Sequence, residues 1–240
     1  MSENERYNVV INGAGQIAGG NYSNVEINGA GNGNGNINCT TLECNGVINH
    51  QGDVHAQSIE INGTANFNGF VKTDSIEVNG TCSISNDLNT DNFEINGTLN
   101  ILGNVDANNV EINGFVSTKG DFSADNFEVK GSFNIDGLLN AENISIKVFR
   151  KCSVREIGCT SIYVKGVKIP LLSNLIRSFD SRLDVNSIEG DVIHLENTTC
   201  KIVRGRNIEI GPNCEIEIVE YTDSLAIDPS SVVNTQSKVS

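Results

Sequence analysis

The chain has 240 residues and a formal net charge of −14, with 24 glycines, seven cysteines, no tryptophan and only 5% aromatic residues. Such an acidic chain lacks the basic, aromatic surface with which proteins bind nucleic acid, and so few aromatic side chains are typical of a narrow aliphatic core. The odd number of cysteines and the lack of a CxxC pair argue against structural disulfides and zinc sites, so we expect reduced thiols.

The first element along the sequence is a repeat of seventeen residues. Its marker is a glutamate that is flanked by apolar residues and in most repeats followed by Asn-Gly. These glutamates are Glu26, Glu43, Glu60, Glu77, Glu94, Glu111 and Glu128. Self-similarity at a fixed period predicts that each repeat is one structural unit stacked on the next.

Within each repeat, three short pieces alternate between apolar and polar residues with a period of two, as in Ile59-Glu60-Ile61. This alternation indicates strands with one buried face. Glycines and other turn-forming residues separate the pieces, and we expect left-handed backbone at these corners. The pattern predicts an all-β fold over residues 1–148: a single-stranded triangular parallel β-helix with turns of about 17 residues. No helical period appears before residue 169.

The outward-facing columns of this coil carry carboxylates and amides. The stacked glutamates are either a solvated face that discourages aggregation or an acidic stripe that recruits a basic partner or a cation. The asparagines that stand two residues after each glutamate are predicted to form a ladder of side-chain amides. They are Asn28, Asn45, Asn62, Asn79, Asn96 and Asn113.

Charge is distributed unevenly, and residues 149–187 are predicted to be a basic, irregular segment. Residues 147–182 hold 8 Lys or Arg and 2 Asp or Glu, whereas residues 1–146 hold 4 and 18. Residues 170–179 place apolar side chains on one face of a short amphipathic helix or a loop. This piece either packs on the coil or contacts a membrane surface or a second subunit. The residues of that contact are Leu171, Leu172, Leu175, Ile176, Arg177 and Phe179.

Strand-like alternation returns over residues 188–221, where we expect further turns of the β-helix. Val192-Ile193-His194-Leu195 and Asn207-Ile208-Glu209-Ile210 repeat after fifteen residues. The remaining residues, 222–240, are polar and without periodicity, so a disordered tail is predicted there.

Two stretches of the chain resemble one known family. Residues 188–221 contain Ile188-Glu189-Gly190-Asp191 and Ile210-Gly211-Pro212-Asn213-Cys214, and the start contains Gly19-Gly20-Asn21-Tyr22 and Val25-Glu26-Ile27. These motifs resemble those of the bactofilins, polymer-forming cytoskeletal proteins, and particularly of their Gram-positive branch. The resemblance implies a right-handed triangular β-helix that assembles end to end into filaments without nucleotide and scaffolds processes at the cell envelope.

Self-association is also expected on physical grounds, because a β-helix ends in exposed strand edges and an uncovered core. Val9, Val10 and Ile11 are the candidate end-stacking residues. We therefore predict a non-enzymatic structural protein that forms homopolymers. A membrane surface or envelope proteins are its further expected partners, with no nucleic acid and no small-molecule substrate. The polar, acidic start predicts a cytoplasmic protein, peripheral at the membrane; a secreted or surface β-solenoid adhesin is the alternative.

No catalytic, cofactor-binding or metal-ligating residue is predicted. The three histidines are His50 in an inward column and His55 and His194 in outward columns. Nothing in the sequence gathers them with a carboxylate or with a serine or cysteine nucleophile, as general acid–base catalysis or metal binding requires.

Overall fold

The structure, a computed structural model, describes residues 6–166 and 181–239, and every regular element in these residues is a β-strand. The strands are β1 Tyr7–Ile11, β2 Ala14–Ile27, β3 Ala30–Cys44, β4 Val47–Gln51, β5 Val54–Ile61, β6 Thr64–Phe67, β7 Val71–Val78, β8 Thr81–Ile84, β9 Leu88–Ile95, β10 Thr98–Ile101, β11 Val105–Ile112, β12 Phe115–Thr118, β13 Phe122–Val129, β14 Ser132–Val148, β15 Cys152–Gly166, β16 Leu183–Leu195, β17 Thr198–Ile210, β18 Glu215–Ile227 and β19 Val232–Lys238.

The chain divides into two compact units. Unit 1 comprises Met1–Asn109 and Gly114–Gly120, and unit 2 comprises Val110–Asn113 and Asp121–Ser240. Both are built from parallel strands, and in both the strands pair with the equivalent strands of the next coil. Each unit is therefore a parallel β-solenoid, the fold class that the repeat predicts.

In unit 1, coils pair seventeen residues apart from β3 onward, so that Ile59 lies beside Ile76 and Ile76 beside Phe93. From β5 onward, each coil contributes one strand of eight residues and one of four, as in β7 and β8. The alternation of buried residues in the longer strand is interrupted in its middle, where neither Asp74 nor Ser75 is buried. Such a change of inward register is expected where the chain turns a corner of the predicted triangular coil.

The core of unit 1 consists of side chains stacked in columns. Ile27, Cys44 and Ile61 pair in register through successive coils, and all three are completely buried. Burial of one large aliphatic side chain stabilises a fold by about 1.5–3 kcal/mol. Because each inward side chain contacts its equivalents in the neighbouring coils, this energy holds every coil to the next.

The glycines after each glutamate strand are required by the close approach of two backbones. A Cβ atom added to Gly63 would collide with the carbonyl oxygen of Gly46 in the preceding coil. Among the described glycines, only Gly35 and Gly52 have a positive φ, of 78° and 134°. The expectation of left-handed backbone at the corners is therefore wrong at most of these positions, since it is tight stacking of the coils that excludes a side chain.

In unit 2 the strands are also parallel, but the pairing distance along the chain changes. Phe122 pairs with Leu139 seventeen residues on, and Leu139 pairs with Ile157 eighteen residues on. Ile157 then pairs with Ile188, thirty-one residues on, and Ile188 with Val203, fifteen residues on. All five side chains are buried, so one core column is kept while the length of the connections varies.

Two segments of unit 2 are more regular than the sequence predicts. β15, Cys152–Gly166, lies within the predicted irregular segment 149–187 and pairs with β14 and β16. β18 and β19 extend to Lys238, although residues 222–240 were expected to be disordered. Nearly every side chain of β19 is exposed, and the strand is held by backbone pairing with β18. Because no face of β19 is buried, its sequence shows no alternation of apolar and polar residues.

Candidate functional site

The N-terminal end of unit 1 is formed by β1, which contains the three candidate stacking residues. Val9 and Ile11 pair with the buried residues Val25 and Ile27 and so stand at the end of two inward columns. Val10 falls in the outward glutamate column and is 53% exposed. Among the described strands, β1 pairs with β2 on one edge only. The structure thus places Val9 and Ile11 at the end of the core and Val10 on its side.

The C-terminal end of unit 2 is formed by β18 and β19. Leu225 and Ile227 pair with buried residues of β17, but β19 pairs only with Glu215–Tyr221 and does not extend over them. Val233 lies beside the buried Ile216 in the last coil and is itself only partly covered. This end of the unit therefore presents apolar side chains that no further coil of the described chain covers.

The outward face of unit 1 carries a continuous ladder of amides and carboxylates. The Asn62 amide donates to Asn45 Oδ1 at 3.0 Å in the preceding coil and to Glu60 Oε1 at 2.8 Å in its own coil. The same two bonds are made by Asn28, Asn45, Asn79 and Asn96. The predicted asparagine ladder is confirmed in unit 1, and it also supplies a donor to one oxygen of each glutamate.

In unit 2 a lysine takes the position of the asparagine. Lys130 Nζ lies 3.1 Å from Glu111 Oε1 and 3.2 Å from Glu128 Oε1, which belong to successive repeats. The hydrogen bond from Lys130 lowers the pKa of the Glu111 carboxyl, and the same bond raises the pKa of Lys130. One ammonium group therefore joins two stacked carboxylates.

The two coils that follow carry lysines at the same place but lack the glutamates. Lys147 and Lys165 pair in register and are both exposed. Two residues before them stand Ser145 and Tyr163. Within the described part of the chain, neither lysine forms an ion pair, and the same holds for the exposed Arg150 nearby.

The histidines differ in their surroundings. His50 is completely buried in unit 1, and neither of its ring nitrogens has a hydrogen-bond partner among the described residues. Burial lowers the pKa of His50. This effect is larger than the opposite effect of the nearby backbone groups of Gly35 and Asp53, which raise the pKa. His55 is exposed and meets Phe70 edge to face, with ring centroids 6.2 Å apart.

His194 is accompanied by two carboxylates, contrary to expectation. Its Nδ1 lies 3.0 Å from Glu209 Oε2, its Nε2 lies 3.7 Å from Glu196 Oε1, and its ring stacks on that of Tyr163 at 4.4 Å. Register brings these groups together, because His194 pairs with Tyr163 on one side and with Glu209 on the other. The fifteen-residue spacing between His194 and Glu209, which is the repeat of this region, could have predicted that the two side chains lie side by side. The contacts with Tyr163 and Glu209 join neighbouring coils.

The seven cysteines are all free thiols, as the sequence predicts. Six are buried, and Cys159 is partly exposed. Burial raises the pKa of Cys159 and Cys200 to about 12 and that of Cys39, Cys152 and Cys214 to about 11. These thiols act as small apolar side chains of the core, since a nucleophilic or metal-binding cysteine needs a thiolate.

The second predicted contact surface, residues 170–179 with Leu171, Leu172, Leu175, Ile176, Arg177 and Phe179, lies outside the described residues. In the part of the chain that is described, no group of three or more His, Cys, Asp or Glu is arranged to hold a metal ion. The described residues also contain no helix of the length and hydrophobicity that a membrane span requires.

Comparison with known proteins finds matches to about a third of the chain. Residues 4–89 match the family model of Bactofilin, polymer-forming cytoskeletal. The chain is 45% identical over 85 residues to the uncharacterized protein YhbE of Bacillus subtilis (strain 168), and 36% identical over 86 residues to the uncharacterized protein YhbF of the same organism. The two alignments cover 35% and 36% of this chain.

The same alignments cover 35% of YhbE and 34% of YhbF, so the match spans about a third of the length of these relatives. No solved structure matches the chain. The opening motifs, Gly19-Gly20-Asn21-Tyr22 and Val25-Glu26-Ile27, lie inside the matched segment, whereas the motifs of residues 188–221 lie outside it. The resemblance to the bactofilin family is thereby confirmed over residues 4–89.

Proposed function

We propose that this protein is a structural element without enzymatic activity, and that it associates end to end with further copies of itself into a filament or scaffold near the cell envelope. The observation that carries the proposal is the incomplete end of unit 1. Val9 and Ile11 end two apolar columns, and β1 has an unpaired edge among the described strands. The polymer-forming description of the family matched by residues 4–89 supports it.

An open β-edge and an uncovered core favour addition of another β-structure. Unpaired backbone groups at the edge of a sheet are a template for pairing with a second chain, and natural proteins usually block such edges. A second coil laid on β1 would satisfy these groups and remove Val9 from water. The end formed by Leu225, Ile227 and Val233 in unit 2 offers apolar side chains for the same kind of contact.

The proposal also includes a location in the cell and a contact with the membrane. The protein would act on the cytoplasmic side of the membrane and contact it peripherally through residues 170–179. The apolar residues for this contact are Leu171, Leu172, Leu175, Ile176 and Phe179, with Arg177 beside them. Support comes from the excess of positive charge over residues 147–182, because anionic lipids attract basic segments.

The end contact is tested with a pair of substitutions in adjacent residues. Val9→Lys places a charge at the end of an inward column, and we expect it to shorten or abolish end-to-end assemblies in negative-stain micrographs of the full chain. Val10→Lys is the matched control, since Val10 is already 53% exposed in the outward column and should tolerate the charge. Assemblies of equal length in both variants and the native protein would count against the proposal.

A further inference from the structure

We propose that the protein also associates side by side, through a basic corner that docks on the glutamate ladder of a second copy. The basic corner consists of Lys147, Arg150 and Lys165 in unit 2. The glutamate ladder consists of Glu26, Glu43, Glu60, Glu77 and Glu94 in unit 1. This contact goes beyond end-to-end association, because it joins the sides of the copies through charged groups.

The basic corner carries positive charge that the described chain does not neutralise. Lys147 and Lys165 face outward on paired backbone positions of β14 and β15, and the exposed Arg150 follows three residues after Lys147. Like charges on directly opposite positions of neighbouring strands destabilise a sheet. An anionic partner that spans both positions would remove this repulsion, so the corner fits a surface with two or more closely spaced carboxylates.

Unit 2 itself shows how a lysine meets such a surface. Lys130 Nζ stands between Glu111 and Glu128 of successive repeats, within 3.1 Å and 3.2 Å of their oxygens. Lys147 occupies the equivalent place one coil later but finds Ser145 where Lys130 finds Glu128. The geometry of Lys130 therefore demonstrates that an ammonium group fits between two stacked glutamates of this repeat.

The glutamate ladder of unit 1 offers the complementary array. Its carboxylates stand on successive coils, and Oε1 of each accepts a hydrogen bond from an asparagine. Among the described residues none of the five forms an ion pair, and the other carboxylate oxygen is left to accept from a partner. Stacked like charges about 4.8 Å apart repel one another, and added cations relieve this.

The match in spacing favours a second copy over other anionic partners. Neighbouring strands of any parallel sheet lie about 4.8 Å apart, so Lys147 and Lys165 have the same separation as two consecutive glutamates. Two ammonium groups can thus meet two carboxylates in register. Lipid headgroups have no such fixed array, and complementary charge also steers two copies towards each other.

Charge reversal in the full chain tests the contact. In low salt we expect negative-stain micrographs of the native protein to show assemblies paired along their sides, and high salt should separate them. Lys147→Glu with Lys165→Glu is expected to abolish the pairing. Adding Glu60→Lys and Glu77→Lys to the same chain should restore it, because the two partners then carry exchanged charges. The control is Lys72→Glu with Lys201→Glu, an equal charge change at exposed lysines elsewhere.

A second variant protects the test against a folding defect. Glu60→Gln with Glu77→Gln keeps the oxygen that accepts from the asparagine while removing the charge, and it should weaken side-by-side pairing. Pairing that persists in this variant or in Lys147→Glu with Lys165→Glu overturns the proposal. The proposal is also overturned if Lys147→Glu with Lys165→Glu leaves pairing unchanged but abolishes binding to vesicles of phosphatidylserine and phosphatidylcholine. Failure of end-to-end association is distinguishable, because Val9→Lys should leave salt-sensitive side-by-side pairs intact.

Discussion

His50 is a polar side chain of unit 1 that is completely buried without a hydrogen bond to offset the loss of water. The next three residues of its inward column are Phe67, Ile84 and Ile101, and the ring occupies the space above Gly33. Both ring nitrogens are without hydrogen-bond partners among the described residues. A buried polar group left in this state costs about 1–3 kcal/mol. His50 therefore reduces the stability of a core that its neighbours fill with hydrocarbon.

We expect His50→Ile to raise the midpoint of unfolding and to flatten its dependence on pH. The pKa of His50 is lowered from 6.5 in the folded protein, so the unfolded chain binds the proton first as the pH falls. The free energy of unfolding should be unaffected by His50 above pH 6.5 and should decrease as the pH falls from 6.5 towards the folded-state pKa. Thermal unfolding followed by circular dichroism across this range measures the effect.

The control for this prediction is His55→Gln. His55 is exposed on β5, so its replacement should leave both the midpoint and the pH dependence close to those of the native protein. A native-like loss of stability on acidification in His50→Ile would refute the assignment to His50.

At the scale of the element, the asparagine ladder links each glutamate-bearing strand of unit 1 to the equivalent strand of the preceding coil. Every amide in its middle takes part in three hydrogen bonds, two as donor and one as acceptor, as Asn62 does with Asn45, Glu60 and Asn79. A typical hydrogen bond contributes about 0.5–1.5 kcal/mol to stability. The ladder therefore stabilises the outer face of the sheet, and it also orients the glutamates.

We expect Asn62→Ala to lower the free energy of unfolding by about 1.5–4.5 kcal/mol, since it removes three such bonds. Asn66→Ala is the comparison, because the Asn66 side chain donates one bond, of 2.7 Å, to Asn49 in the adjacent four-residue strands. Denaturation by urea measures both variants. An equal effect of the two substitutions would show that the ladder has no special part in stability.

Most of this element was predictable from the sequence, and the reason is its period. Identical residues at a fixed interval must lie beside one another once coils stack, so the positions of Glu60 and Asn62 follow from spacing alone. β19 was not predictable, because its exposed residues, such as Gln236, have no apolar alternation and its strand depends on pairing with β18. The contact of Lys130 with two glutamates depends on side-chain reach, which spacing does not specify.

The candidate end surface was predictable only in part. Alternation along Val9-Val10-Ile11 allows either face of the strand to be buried, and only the register with β2 assigns Val10 to the outside. The tolerance of glycine for left-handed backbone similarly suggested the wrong reason for Gly63, since close approach between coils depends on the packing of the whole unit.

At the scale of the whole molecule, charge separates the chain into regions with different expected partners. Residues 1–146 hold 18 acidic and 4 basic residues, so an anionic membrane would repel them. Residues 147–182 hold 8 basic and 2 acidic residues, and residues 183–240 hold 4 and 10. Only the middle region suits an anionic surface, and it contains the apolar residues of 170–179.

We therefore expect the full chain to float with vesicles that contain phosphatidylserine, and not with vesicles of phosphatidylcholine alone. Leu172→Glu with Ile176→Glu should abolish flotation, because it replaces apolar contact by two negative charges. Leu102→Glu is the control, since Leu102 is 60% exposed in the acidic region. Unchanged flotation of the double variant would reject residues 170–179 as the membrane contact.

Successive coils of unit 1 are seventeen residues apart, so this part of the chain can change in length by whole repeats. Residues 63–79 make up one complete repeat, and deleting them would bring Asn62 directly before Gly80, the same pair of residue types that stands at the junctions of unit 1, as in Asn45-Gly46. The inward side chains and the asparagine amides on the two sides of the deletion would then pair with each other as they do in consecutive coils. Duplication or loss of whole repeats can thus lengthen or shorten the protein by one increment, whereas a single extra residue within a strand would turn its apolar side chains towards water.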